Sequence, residues 1–213
     1  MISAVSREVE STASTQQVAQ ILQSRPLSDM VSPLLQADAK SYTTATDFVT
    51  RNSTFFTTTI SRPEYTPTTP EIPISSLHTA SAALTLIPPI HWTTQTHKSN
   101  ITSYDGASAL NETPSEALDA ESRVAADKSF KKELYHYLRW TLSASAPGPG
   151  IPETMAILGR EETLRRLDEA RELTRDITGS VSPVAARLLK EKGLQAKEPR
   201  EKDTDWMGSL APR

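Results

Sequence analysis

The sequence holds no cysteine, so a thiolate metal site and a Cys nucleophile are excluded and the imidazole ligands on offer are His78, His91, His97 and His136. His91 and His97, with Asp105 nearby, are the one set worth weighing as ligands. They lack both the i, i+4 spacing of a helical ligand pair and the tight spacing of a loop site, so no metal site is expected. His136 stands between Tyr135 and Tyr137 and reads as a surface or rim residue rather than a base. Acids are denser further on, where Glu153, Glu161, Glu162, Asp168, Glu169, Glu172 and Asp176 crowd one stretch. Paired carboxylates can divide acid and base roles. Here they alternate with Arg160, Arg165, Arg166, Arg171 and Arg175, and pairs such as Glu161 and Arg165 at i, i+4 describe a solvated helix face instead. With seven Gly, no phosphate-cradling loop, no nucleophile elbow and no Ser/His/Asp motif, the chain is expected to be neither an enzyme nor a cofactor carrier.

Binding chemistry is better represented. The run from Lys131 to Trp140 mixes basic and aromatic residues, a combination able to stack bases and pair with phosphates. A helix turns about 100° per residue, so Leu134, Tyr137 and Leu138 share one face, flanked by Lys131, Lys132 and Arg139. That is an apolar stripe with a basic rim, which favours a contact with protein. The formal charge of −3 and a pI near 5.9 offer no broad attraction to phosphate backbones, so nucleic acid is expected to be an unlikely partner. Near the C-terminus, Asp203, Asp205, Trp206, Met207 and Leu210 make a small acidic and apolar patch suited to docking, in cis or in trans. Asn52, Asn100 and Asn111 all lie in N-x-Ser/Thr sequons, a coincidence in a chain with 24 Ser and 26 Thr. Ser/Thr-Pro steps at Ser32, Thr66, Thr69, Thr113 and Ser182 are possible phosphate acceptors, three of which double as helix caps.

Elements must position these groups. Charge divides the chain near residue 110, with 14 of 49 charged residues before it and 35 after. Four regions follow: an N-terminal helical segment (1–50), a Ser/Thr/Pro-rich extended connector (51–112), a helical hairpin region (113–193) and a charged tail (194–213). In the first, Val18, Ile21 and Leu22 predict a short helix over 15–23, and Ser32 before Pro33 predicts a second that carries Leu35, Ala39, Tyr42, Ala45 and Val49. Pro63, Pro67, Pro70, Pro73, Pro88 and Pro89 then predict extended chain anchored by Phe55, Phe56, Ile72, Ile74 and Leu77, followed by a loose polar stretch over 93–110.

The hairpin has the strongest pattern. Thr113, Pro114 and Glu116 form a capping box that predicts a helix to about Ala144. The Pro/Gly run 147–152 demands a reversal, and a second helix is predicted from Pro152 to Ile177 with Gly179 as its cap. A short third helix is expected over 183–192. The fold class is therefore mainly α, and two helices alone make a thin core. The leading expectation is a non-enzymatic structural or adaptor subunit of an intracellular assembly whose partners are other protein subunits. Its contacts would be Leu134, Tyr137, Leu138, Trp140, Leu164, Leu167, Leu173 and Trp206. An independently folded ligand-binding helical module or an enzyme without a legible motif is the alternative, and an RNA-binding accessory protein the third. No apolar run reaches the roughly 18–20 residues needed to span a bilayer. With Arg7, Glu8 and Glu10 near the start, the reading is cytoplasmic or nuclear, with a mitochondrial location as the alternative.

Overall fold

Among the described residues the chain is mainly helical and no strand forms. A computed structural model describes residues 2–12, 27–38, 43–57, 59–106 and 120–175. Seven α-helices lie within them: α1 (Ile2–Thr12), α2 (Leu27–Ala37), α3 (Ala45–Arg51), α4 (Ile74–Thr85), α5 (Thr94–Ser103), α6 (Ala120–Ser143) and α7 (Ile151–Leu173). None is long and apolar enough to cross a membrane. The chain divides at residue 180 into two units, the second of which lies outside the described residues.

α6 and α7 form the expected hairpin. Phe130, Leu134, Tyr137, Leu138 and Leu142 of α6 are buried, as are Ile151, Met155, Leu158, Leu167 and Ala170 of α7. Between the two helices, Ala144 and Ser145 take left-handed φ of 52° and 66°. The Ser145 amide donates to the Arg139 carbonyl at 3.2 Å and the Ala144 amide to Trp140 at 3.0 Å, closing the end of α6 before the Pro/Gly run. α7 departs from expectation in two ways. It breaks at Gly159, whose φ of 75° and ψ of 171° only glycine adopts freely. It also stops at Leu173, where the Thr174 hydroxyl donates to the Ala170 carbonyl at 2.8 Å and so competes with a further turn. The capping box at Thr113, the cap at Gly179 and the third helix at 183–192 lie outside the described residues.

The stretch expected as a connector holds two helices. Its prolines fence helices rather than forbid them: Pro73 immediately precedes α4, and Pro88 and Pro89 follow its end. Ile74, Leu77, Ala80 and Leu84 form the buried face of α4. Thr93 caps α5, its hydroxyl accepting from the Thr96 amide at 3.2 Å, and His97 and Ile101 bury one side of it. Only residues 59–67 run as an extended strap, and they lie across α6.

At the other end, α2 begins at Leu27, five residues before Ser32, and takes Pro33 into its interior. Burial of Met30, Val31 and Leu34 offsets the lost amide bond. The chain does not continue as one helix to Val49; Thr44 starts α3 anew, accepting from the Asp47 amide at 3.1 Å. The sequence does not announce α1, in which Val5 and Val9 are the buried apolar residues among those described. The helix expected over 15–23 lies outside the described residues.

Candidate nucleic-acid interface

One polar network fixes α6 against the strap. Glu133, fully buried on α6, accepts from the Tyr65 hydroxyl at 2.6 Å, from the Thr68 amide at 3.1 Å to each oxygen, and from the Thr68 hydroxyl. Its charge and desolvation push the Tyr65 phenol up. Trp140 donates from Nε1 to the Pro63 carbonyl at 2.7 Å, and His136 Nε2 lies 3.0 Å from the Thr66 carbonyl. Arg62 returns the contact, donating to the Thr141 carbonyl at 3.0 Å and pairing with Glu169 at 3.2 Å.

Arg166 plays the matching part on α7. It is 1% exposed, pairs with Glu162 at 2.6 Å, and donates to the carbonyls of Leu142 at 2.5 Å and Thr54 at 2.8 Å. The sequence placed this arginine on a solvated face. Burial of an arginine requires carbonyls from distant segments, which no local pattern reveals. Arg165 behaves as a surface charge, paired with Glu162 at 2.6 Å and also with Glu169.

The residues expected to meet a partner subunit are placed as follows. Leu134, Tyr137, Leu138 and Trp140 are buried within this chain, covered by the strap, α4 and α7. Leu167 is buried, Leu164 is half-buried, and Leu173 stands 62% exposed at the end of α7. Trp206 lies outside the described residues. Among the described residues no three His, Asp or Glu side chains gather to hold a metal.

His97 is fully buried edge-on to Trp92, with ring centroids 4.4 Å apart, and neither ring nitrogen has a hydrogen-bond partner among the described residues. Burial pushes its pKa down from 6.5 to about 4, and burial also lowers that of His78. The unfolded chain therefore binds protons that the folded one refuses. The histidine contribution to stability is complete above about pH 6.5 and is lost as pH falls towards 4. His97→Phe keeps an aromatic ring beside Trp92 and should lose less stability than the wild type between pH 7 and pH 5 in urea titrations. Equal losses would remove His97 as the cause.

With its apolar side spent on the core, α6 turns a different stripe outward. Lys128, Lys132 and Tyr135 are exposed and Arg139 is half-buried. At about 100° per residue these four fall within roughly 60° of one another, and at 1.5 Å per residue they extend over about 16 Å. Lys128 and Lys132 have no ion-pair partner among the described residues, whereas Lys131 beside them is paired with Asp127 at 2.8 Å. Tyr135 lies in the middle of the row, 37% exposed. Burial and the nearby Glu153 carboxylate raise its phenol, which therefore stays neutral as a stacking surface. Lys131, Lys132 and Arg139 were legible as a basic rim. Lys128 lies outside the aromatic run, and the outward turn of Tyr135 needed the helix phase.

Net charge misled because it averages over the chain. Several acids near α6 are occupied by neighbours, as Asp127 is by Lys131 and Asp105 by Arg123 at 2.8 Å, while Glu133 is buried; Glu153 stands beside Tyr135 and Arg139. No curated protein and no solved structure matches this chain. Residues 105–171, about a third of the chain and containing α6 and nearly all of α7, match the family of the anticodon binding domain, which overturns the expectation that nucleic acid is an unlikely partner.

Proposed function

We propose that the chain is a non-catalytic RNA-binding protein that holds an anticodon-type RNA segment along α6. The observation that carries this reading is the coincidence of the matched residues 105–171 with the exposed row Lys128, Lys132, Tyr135 and Arg139. Three cations can pair with backbone phosphates while Tyr135 offers a ring to an unstacked base. An anticodon is read where translation occurs, which supports the cytoplasm or the mitochondrion over the nucleus.

A second role as adaptor within an assembly is supported by a separate feature. Leu86 and Ile90 are 81% and 83% exposed on either side of Pro88 and Pro89. That turn is held by Arg160, whose guanidinium donates to the carbonyls of Ile87 and Thr85 at 3.3 and 3.2 Å. A rigid apolar knob of this kind suits a protein partner.

The test is fluorescence anisotropy of a labelled tRNA anticodon stem-loop against the whole chain, with a DNA hairpin of the same sequence as control. Three phosphate contacts imply a salt slope near −2, or roughly a 15- to 20-fold loss between 50 and 200 mM salt. Absence of binding at low salt, or equal binding of the DNA hairpin, would defeat the proposal.

A further inference from the structure

Three of the five Ser/Thr-Pro steps fall among the described residues, and the structure separates them. Ser32 lies inside α2, where a kinase cannot draw the chain out straight. Thr69 is half-buried and its carbonyl closes a turn with the Ile72 amide at 3.0 Å. Thr66 is exposed on the extended strap, directly before Pro67. Tyr65 beside it is buried, and alternation along extended backbone turns the Thr66 side chain outward. Its hydroxyl has no hydrogen-bond partner among the described residues.

Thr66 also lies at the edge of the basic row. Its carbonyl is 3.0 Å from His136 Nε2, and Lys132 is one helical turn earlier on the same side of α6. From these placements, and resting on the RNA-binding reading, we infer that Thr66 is a phosphorylation site for a proline-directed kinase and that its phosphate closes the RNA stripe. In the transfer the Thr66 Oγ attacks the γ-phosphorus of a nucleoside triphosphate. The new Oγ–P bond replaces the bond to the β-phosphate oxygen, the hydroxyl proton passes to the kinase's base, and a nucleoside diphosphate leaves. The product carries about −1.5 to −2 charge at pH 7. It draws Lys132 and His136 to itself and repels RNA phosphates from the same row. Glu133, beneath the strap, is already engaged by Tyr65 and Thr68 and leaves Lys132 and the His136 ring to the new group.

Two experiments decide it. The whole chain, treated with a proline-directed kinase and ATP, should carry phosphate at Thr66, and Thr66→Val should remove that signal; transfer confined to Thr69 or Ser32 overturns the site. Phosphothreonine is then installed at 66 by codon expansion and titrated by phosphorus NMR. Held by Lys132 and His136, the phosphate should titrate below its ordinary value near 6 and return to it in Lys132→Gln. Stem-loop affinity at about 0.1 M salt should fall about fivefold on phosphorylation, the loss of roughly one phosphate contact. An ordinary titration in both proteins overturns the contact whatever the RNA result. If the unmodified chain binds no RNA while the phosphate titration is shifted, the functional reading falls and the phosphate site stands.

Discussion

Glu133→Ala should destabilise the fold by about 2–4 kcal/mol, because it leaves a buried phenol without its acceptor and removes the part-buried bonds from Thr68 at the same time. The Tyr65 hydroxyl and the Thr68 amide both lose their partner, and Thr68 loses its side-chain bond as well. Since small domains are stable by only about 5–15 kcal/mol, the loss is a large share of the whole. Urea unfolding should show a lower midpoint with an unchanged slope, which identifies a change in stability rather than in exposed surface. Glu133→Gln keeps one carbonyl oxygen but turns an amide nitrogen towards donors, so it should lie between the wild type and the alanine variant. A change below about 1 kcal/mol for Glu133→Ala would mean that the strap is not held through this carboxylate.

The second large effect concerns RNA. Changing Lys128, Lys132 and Arg139 together to Gln should flatten the salt dependence of stem-loop binding from near −2 towards zero, since each phosphate contact contributes about 0.7 to the slope. Tyr135→Ala should act differently. Loss of one stacked base costs about 1–3 kcal/mol, so affinity should fall about fivefold or more at every salt concentration with the slope retained. Lys128, Lys132 and Tyr135 are exposed, and thermal midpoints of their variants should stay near the wild type. If the triple variant binds with an unaltered slope, the RNA lies elsewhere on the molecule.

The different fates of neighbouring residues show what could be read in advance. The hairpin was legible because its apolar period is local: Leu134, Tyr137 and Leu138 announce one face of a helix without reference to the rest of the chain. What covers that face was not legible. Its cover is a strap some 70 residues away in sequence, joined by bonds such as Trp140 to Pro63 and Tyr65 to Glu133. An unseen cover made the face look like a docking surface for another protein. Two further helices escape the sequence for separate reasons: the prolines at 73, 88 and 89 read as breakers of α4 but stand just outside its ends, and α5 is so polar that only His97 and Ile101 mark its buried side. Arg166 was misplaced because Arg165 and Glu162 beside it do belong to the surface, and only α7's packing distinguishes the adjacent arginines.

The strap has one more consequence. The similarity to the anticodon binding domain begins at residue 105, yet the donors that satisfy Glu133 and the carbonyls that receive Trp140 and Arg166 come in part from residues 54–68. Sequence similarity and cooperativity thus draw their boundaries in different places. A fragment trimmed to the matched residues would carry a naked carboxylate, a naked guanidinium and an uncovered apolar helix face, and would behave as a sticky, partly folded peptide. The stretch that is matched is smaller than the unit that folds.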